Sequence, residues 1–398
     1  MSRYNFDQII DRRGTNALKT DVIKERYGSD NLIPLWVADM DFLSPPAISE
    51  AIIKRAEQSL YGYTCPSQSY YDSIINWIKQ SHQWEIQQKW LSFIPGIVKG
   101  IAFVVDCFSE QSDKVVIQPP VYHPFRIIPT LHHRTIVNNP LVLSAGQYKM
   151  DFENLNSVID DNCKILILCN PHNPAGRVWT KQELIDLADI CYERNVLVIS
   201  DEIHSDLIHQ NNKHIPFATV SEKAAQNSIT FMAPSKTFNI AGIVSSYAIV
   251  PNERIRNKFY EYLKSSELDE GHIFAYTATE AAYTQCNDWL KEAIEYIWQN
   301  IQFVNNYLKE NIPAIKVIIP QASFLVWLDC RELNLSQPEL VSLFVNDAKL
   351  ALNDGAMFGK EGTGFMRMNV GSPRSVLAQA LENLKNALMK HEECNKKA

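Results

Sequence analysis

Short apolar runs rich in valine and isoleucine alternate with amphipathic stretches through the middle of the chain. Between 181 and 194, apolar residues recur at helical spacing, and Thr180 with Glu183 predicts a capping box at the helix start. This alternation predicts an α/β fold with a mostly parallel central sheet and helices on both faces. The five runs predicted as buried strands are KVVIQ (114–118), KILILC (164–169), VLVIS (196–200), SITFM (228–232) and SYAIV (246–250).

The pattern changes after about residue 285. A long helical pattern from Asp288 to Asn311 ends before Pro313, and strand-like and helical runs follow it. The strand-like runs are 316–320 and 324–329, and the helical ones lie near 337–349 and 374–391. We expect a smaller α+β lobe here, and the whole chain divides into three predicted parts. These are an N-terminal arm (1–45) that belongs to the small lobe, a large domain (46–285) and a small C-terminal domain (286–398).

Composition excludes several classes of protein. Of the 398 residues, 46% are hydrophobic, which excludes bulk disorder, and the net charge of −7 argues against a general nucleic-acid or membrane-surface binder. The eight cysteines include no CxxC pair, which favours reduced thiols over a zinc ribbon or a disulfide framework. The start of the chain lacks the apolar segment of a signal peptide, and no run is long enough to span a membrane, so a cytoplasmic protein is expected. No metal is expected either, because the nearby Asp201, His204, Asp206 and His209 lack a recognised ligand spacing.

Polar residues with distinct chemistry follow three of the predicted strands. The segments are NPHNPAG (170–176), DEIHSD (201–206) and APSKTFNIAG (233–242). The carboxyl ends of parallel strands meet at one edge of a sheet, where ligands bind. We therefore expect Asn173, Asp201 and Lys236 to lie close together.

Each of these three residues has an ordinary structural explanation when taken alone. Lys236 would be a surface lysine in a loop, Asp201 a helix N-cap and Asn173 a turn residue between prolines. Together, at successive strand ends, they match the needs of pyridoxal 5′-phosphate (PLP). This cofactor needs an amine for its aldehyde carbon, a carboxylate for its ring nitrogen and an amide for its ring oxygen.

These motifs and their spacing resemble those of fold-type I PLP enzymes of the class I/II aminotransferase superfamily. WVADMDF (36–42), YGYT (61–64) and FNIAG (238–242) resemble more narrowly the cystathionine β-lyase, or C–S lyase, branch of the MalY/PatB type. The resemblance extends from about Trp36 to Arg374. It implies that PLP is the cofactor and that the large domain binds it.

The resemblance also assigns roles to individual residues. Lys236 would hold the cofactor and move the Cα proton, Asp201 would pair with the ring nitrogen, and Asn173 would donate to the ring oxygen. Tyr122 would stack on the ring, although a tyrosine among prolines is also explained as a turn residue. His204 stands where aminotransferases often carry a tyrosine near the cofactor oxygen.

The segment PGIVKG (95–100) precedes an amphipathic stretch and could supply helix-start N–H groups for the phosphate, although alone it would be an ordinary helix N-terminus. Many members of the superfamily place a serine and an arginine on the phosphate where this chain has Ala233 and Val244. Ser235 and Lys99 are the candidate replacements. By resemblance, the phosphate contacts are the backbone amides of Ile97, Val98 and Lys99.

Two further residues match positions of the family. Arg367, in GFMRMNVGSP, matches the arginine that binds the substrate α-carboxylate, for which a guanidinium has bidentate geometry. The alternative is a strand-edge arginine paired at the surface. Tyr63 matches a tyrosine that reaches the phosphate of the partner subunit, so the resemblance implies a homodimer with shared active sites.

The activity that the resemblance implies is β-elimination from a small sulfur amino acid. Cystathionine or a related cysteine S-conjugate would be cleaved to a thiol, pyruvate and ammonia, with neither nucleic acid nor membrane as a partner. Two alternatives stay open: a class I/II aminotransferase on the same scaffold, and a PLP-binding regulatory protein with incidental activity.

Overall fold

The strands form one large sheet and three smaller ones. The structure is a computed structural model that describes residues 3–395, with side chains described through residue 391. The strands are β1 (Ile33–Pro34), β2 (Leu91–Ile94), β3 (Lys114–Ile117), β4 (Thr135–Asn138), β5 (Val142–Ser144), β6 (Gln147–Lys149), β7 (Cys163–Cys169), β8 (Leu197–Asp201), β9 (Ser228–Met232), β10 (Ser246–Ile249), β11 (Lys316–Ile318), β12 (Leu325–Asp329), β13 (Leu350–Ala351), β14 (Asn353–Asp354) and β15 (Phe365–Asn369).

The helices surround these sheets. They are α1 (Leu18–Asp21), α2 (Ile23–Tyr27), α3 (Pro46–Glu57), α4 (Gln68–His82), α5 (Ile97–Phe108), α6 (Pro124–Leu131), α7 (Phe152–Val158), α8 (Lys181–Glu193), α9 (Glu222–Gln226), α10 (Pro234–Thr237), α11 (Glu253–Ser265), α12 (Ile273–Gln285), α13 (Asn287–Asn311), α14 (Gln337–Ser342) and α15 (Arg374–Asn395). The predicted capping box is present at the start of α8, between Thr180 and Glu183. Among the described residues, no helix is both long and apolar enough to cross a membrane.

The central sheet has seven strands in the order β2-β10-β9-β8-β7-β3-β4. The neighbours from β9 to β4 are parallel, whereas β10 pairs antiparallel with both β9 and β2. All five predicted runs are strands of this sheet, which confirms the α/β prediction. Successive residues of β7 face opposite sides: Ile165 packs in the cluster that contains Ile101 of α5, and Leu166 in the cluster that contains Leu187 of α8. The continuous apolar runs therefore exist because helices cover both faces.

The C-terminal part contains a separate antiparallel sheet in the order β11-β12-β15-β14. The N-terminal arm joins this part, since β1 pairs with β13, and Trp36 packs with Val345 and Ala351. The arm also contains the short helices α1 and α2, in a stretch that carries few helix signals. The predicted helix near 337–349 is α14 followed by a π-helix over Leu343–Asp347. The domain limits at residues 45 and 285 stay a prediction.

Candidate active site

The carboxyl ends of β7, β8 and β9 bring the predicted polar residues together around a cavity of about 360 Å³. Most of the predicted site residues line it, whereas Arg367 lies beside it and Tyr63 lies outside it. The lining residues among those predicted are Ile97, Val98, Lys99, Tyr122, Asn173, Asp201, His204, Ser235 and Lys236. Because they come from separate segments, the cavity is a product of the sheet topology.

Lys236 lies on α10, a single helical turn directly after β9. Its Nζ donates a hydrogen bond to the Ala38 carbonyl. Burial lowers the pKa of this amine to about 8, and the charge of Arg367 acts in the same direction against the opposing effect of Asp39 and Asp201. A lowered amine pKa makes Lys236 a nucleophile and a base near neutral pH.

Asp201 ends β8 and lies opposite Cys169 of β7 in the sheet register. Burial raises the pKa of this carboxyl to about 7, although the hydrogen bond from the Ile203 N–H, at 3.1 Å, acts against that rise. A buried carboxyl with a raised pKa is stabilised as a carboxylate when a cationic donor comes beside it. A protonated ring nitrogen is such a donor.

Asn173 and Arg367 form one hydrogen-bonded unit. Arg367 Nη1 donates to Asn173 Oδ1 at 3.0 Å, which leaves the Asn173 NH₂ group to donate elsewhere. The guanidinium also donates to the Trp36 carbonyl at 2.9 Å and to Asn353 Oδ1 at 2.5 Å. Arg367 is thus in contact with both the cavity residue Asn173 and the N-terminal arm.

Arg367 is buried, with 4% of its surface exposed, and it has no carboxylate partner within residues 3–391. Burial lowers its pKa to about 10, so it stays cationic at neutral pH. Its Nε atom is also buried and unpaired. An uncompensated buried cation is costly, and an anionic ligand would offset that cost. The surface-paired alternative for this arginine is therefore wrong.

The start of α5 provides a cradle for an anion. Gly96 is the N-cap residue with φ of +106°, a conformation that glycine accommodates, and the first intrahelical bond runs from the Gly100 N–H to the Gly96 carbonyl. The amides of residues 97–99 precede this bond and are free to bind a ligand. Ser235, Ser245 and Ser246 also line this cavity, beside the apolar Ala233 and Val244. The Ser245 hydroxyl bonds that of Thr279, and the Ser246 hydroxyl donates to the Ile94 carbonyl, so Ser235 offers the available hydroxyl where the family's serine and arginine are absent.

Two aromatic side chains complete the predicted cofactor contacts. Burial lowers the pKa of His204 to about 3, so its imidazole is neutral, and its Nδ1 is buried and unpaired. Tyr122 lies at the wall of the cavity with its phenol pKa raised by burial, and its ring packs edge-on against Phe125. Both rings are therefore positioned to contact a bound group.

The sequence did not indicate the role of the arm in the site. The Ala38 carbonyl accepts a hydrogen bond from Lys236. The acids on either side of Met40 join this segment to the rest of the arm, since Asp39 pairs with Arg12 at 2.7 Å and Asp41 with the buried Lys19 at 2.7 Å. The only sequence signal was the motif WVADMDF itself. Tyr63, in contrast, is fully exposed and reaches nothing in its own subunit's cavity.

The residues present fit PLP. The cavity combines the amides at the start of α5 for a phosphate, a buried carboxyl for a ring nitrogen and an amine for an aldehyde. The orphaned Nδ1 of His204 and the free NH₂ group of Asn173 are polar groups that a ring oxygen could satisfy. No group of three or more metal-ligating side chains occurs in the described part of the chain.

Comparison with known proteins gives the family. The model of the family described as aminotransferase class I and II matches residues 30–384. Cystathionine β-lyase PatB of Bacillus subtilis (strain 168) is 41% identical over 385 residues, which cover 96% of this chain and 100% of PatB. Protein MalY of Escherichia coli (strain K12) is 32% identical over 388 residues, covering 97% of this chain and 99% of MalY.

A solved structure agrees with these relatives. Cystalysin from Treponema denticola, whose crystal structure contains a pyridoxal 5′-phosphate cofactor, superposes with a TM-score of 0.94 at 35% identity, covering 97% of this chain and 99% of cystalysin. The match extends over the central sheet, the small antiparallel sheet and the arm that carries Ala38. With its strand-end motifs, its sheet topology and its relatives in agreement, the chain belongs to the class I and II aminotransferase family.

Proposed function

We propose that this protein is a PLP-dependent carbon–sulfur β-lyase. It cleaves cystathionine or a related cysteine S-conjugate to a thiol, pyruvate and ammonia. Support comes from relatives and solved neighbours that are cystathionine β-lyases and C–S lyases. The structural observation behind an amino-acid substrate is the buried, uncompensated Arg367, which is joined through Asn173 to the cavity of Lys236, and the choice of elimination over amino transfer rests on the relatives.

Each site residue has a defined task in this reaction. When bound, PLP supplies an electron sink that stabilises negative charge at the substrate Cα. Arg367 binds the substrate carboxylate and fixes the orientation of the Cα–H bond. Lys236 Nζ accepts the Cα proton, and Asp201 keeps the ring nitrogen protonated. Asn173, held by Arg367, orients its NH₂ group toward the ring oxygen.

We propose that residues 46–285 bind the cofactor while 1–45 and 286–398 form the small lobe. Cavity-lining residues lie between Ala38 and Ser246, and Arg367 is contributed by β15 of the C-terminal sheet. The substrate would thus be bound between the two parts. The cytoplasmic location stays a prediction from the sequence.

We also propose a homodimer in which Tyr63 contacts the phosphate in the partner subunit. The exposure of Tyr63 supports this role. Mixing Tyr63→Ala protein with Lys236→Ala protein should restore about a quarter of wild-type activity, because half of the dimers are mixed and each has one intact site. If both variants dimerise and exchange subunits but the mixture stays as inactive as its parts, Tyr63 does not act across an interface.

The test of the lyase proposal is a product assay with cystathionine. Thiol, pyruvate and ammonia should appear in equal amounts without any added 2-oxo acid, and Lys236→Ala should abolish all three. Amino transfer that requires a 2-oxo acid, with no thiol released, would instead identify an aminotransferase. Cofactor binding without turnover of either kind would favour the regulatory protein.

A further inference from the structure

Three arginines from separate elements converge on one short segment beside the cavity. The segment is residues 353–358, formed by β14 and the 3₁₀ turn Gly355–Phe358. Arg26 of α2 directs Nη2 to Met357 Sδ at 3.9 Å, and Arg126 of α6 donates to the Met357 carbonyl at 3.3 Å. Arg367 of β15 donates to Asn353 Oδ1 and lies 5.0 Å from the centre of the Phe358 ring.

The arm connects two of these arginines, Arg26 and Arg367, a second time. The Arg26 guanidinium lies 4.6 Å from the centre of the Trp36 ring, and Arg367 donates to the Trp36 carbonyl. Trp36 therefore contacts two guanidiniums, the exposed one of Arg26 through its ring and the buried one of Arg367 through its carbonyl. Arg367 alone is assigned to the α-carboxylate, so Arg26 and Arg126 have no task in the reaction described above.

These three cations have no compensating acid. Two other exposed arginines each pair with a carboxylate, Arg13 with Asp11 and Arg331 with Asp329. Across residues 3–391, by contrast, Arg26, Arg126 and Arg367 form no ion pair. Asp354 is an acid on the same segment, but it accepts hydrogen bonds from Gln337 and from the Ala356 N–H instead. Positive charge concentrated beside a cavity attracts an anionic ligand.

His123 is surrounded by these charges. Its ring centre lies 5.1 Å from that of Tyr122, a cavity residue, and 6.4 Å from that of Phe358, and its Nδ1 is buried and unpaired. Burial, together with the charges of Arg367, Arg26 and Arg126, lowers the pKa of His123 to about 4. The three guanidiniums thus act on one imidazole beside the cavity wall, which gives the anion a neutral hydrogen-bonding partner as well.

We propose that Arg26 and Arg126 bind a second carboxylate, at the far end of the substrate. Resting on the proposed lyase function, this names the substrate class: cysteine S-conjugates whose thiol part carries an acidic group. Arg367 holds the α-carboxylate, and the two outer arginines hold the distal one. Specificity then depends on charge at the end of the leaving thiol.

The test compares two thioethers of equal size, S-carboxyethyl-L-cysteine and its neutral amide S-carbamoylethyl-L-cysteine. Wild type should cleave the acid with a kcat/KM about tenfold above that of the amide, the scale of one charge-assisted hydrogen bond. Arg126→Gln and Arg26→Gln should each reduce this preference and together remove it, because each lowers kcat/KM for the acid more than for the amide. Arg254→Gln, at an exposed position of α11, is the control that should keep the full preference.

A binding measurement separates this inference from the lyase proposal. Calorimetry on the holoenzyme would use carbon analogues of both thioethers, in which a methylene replaces the sulfur so that no cleavage can occur. Tighter binding of the acid that is lost in the double variant supports the subsite even if the protein cleaves no thioether. Equal dissociation constants for acid and amide, or equal losses for both in the variants, overturn it.

Discussion

Replacing Arg367 with lysine tests whether the buried guanidinium binds the substrate carboxylate. The lysine keeps the positive charge but loses the planar fork, so it cannot bind Asn173, the Trp36 carbonyl and Asn353 at the same time. Losing a charge-assisted hydrogen bond of the fork to the substrate carboxylate costs up to about 3 kcal/mol, or about 100-fold in affinity. We therefore expect KM to rise about 100-fold and kcat to fall by less.

The assay is steady-state thiol release together with the visible absorbance of the bound cofactor. The absorbance should remain, because Lys236 is intact, although the loss of the bond to Asn173 should shift the band. Arg331→Lys is the matched control, since Arg331 is exposed and pairs with Asp329. A change in KM below about threefold for Arg367→Lys, or a loss of cofactor with KM unchanged, would refute the carboxylate assignment.

Three further predictions concern stability and positioning. Gly355→Ala should lower the unfolding free energy by about 3 kcal/mol, because the added Cβ would lie 2.2 Å from the Gly362 carbonyl oxygen. Gly242→Ala is the control: its Cβ would have no atom within 4 Å, so differential scanning fluorimetry should show little change in stability. Burial raises the Asp201 pKa to about 7, so the contribution of Asp201 to the stability of the cofactor-free protein should fall as pH rises from about 4 to 7. This contribution to the slope of melting temperature against pH should be present in wild type and absent from Asp201→Asn. Asp206→Asn should lower kcat more than cofactor occupancy, because Asp206 accepts from Thr237 next to the reactive lysine at 2.8 Å; unchanged kcat would exclude this positioning role.

Local pattern was sufficient to predict the sheet and its functional edge. The runs that became β7, β8 and β9 are apolar because helices cover both faces of the sheet. Their carboxyl ends are therefore where polar side chains such as Asn173 and Asp201 line the cavity. The capping box at α8 was equally local. These features depend on residues close together in the chain.

Contacts between distant segments could not be derived in this way. The bond from Lys236 to the Ala38 carbonyl joins residues 198 positions apart, and the bond from Arg367 to Asn173 joins residues 194 apart. Neither has a periodic signal, because each depends on how the arm and the small sheet pack on the large one. The two short helices of the arm were missed for the same reason, since their packing stabilises them more than their sequence does.

Reduction of the holoenzyme with borohydride, followed by peptide mapping, tests the assignment of Lys236 most directly. Reduction fixes the cofactor to the amine that holds it, and mass spectrometry then identifies the modified lysine. The account predicts one cofactor per chain, on the peptide that contains Lys236, and none on Lys99 at the start of α5. Attachment to Lys99 or to any other lysine, or an unmodified Lys236 in active enzyme, would contradict it.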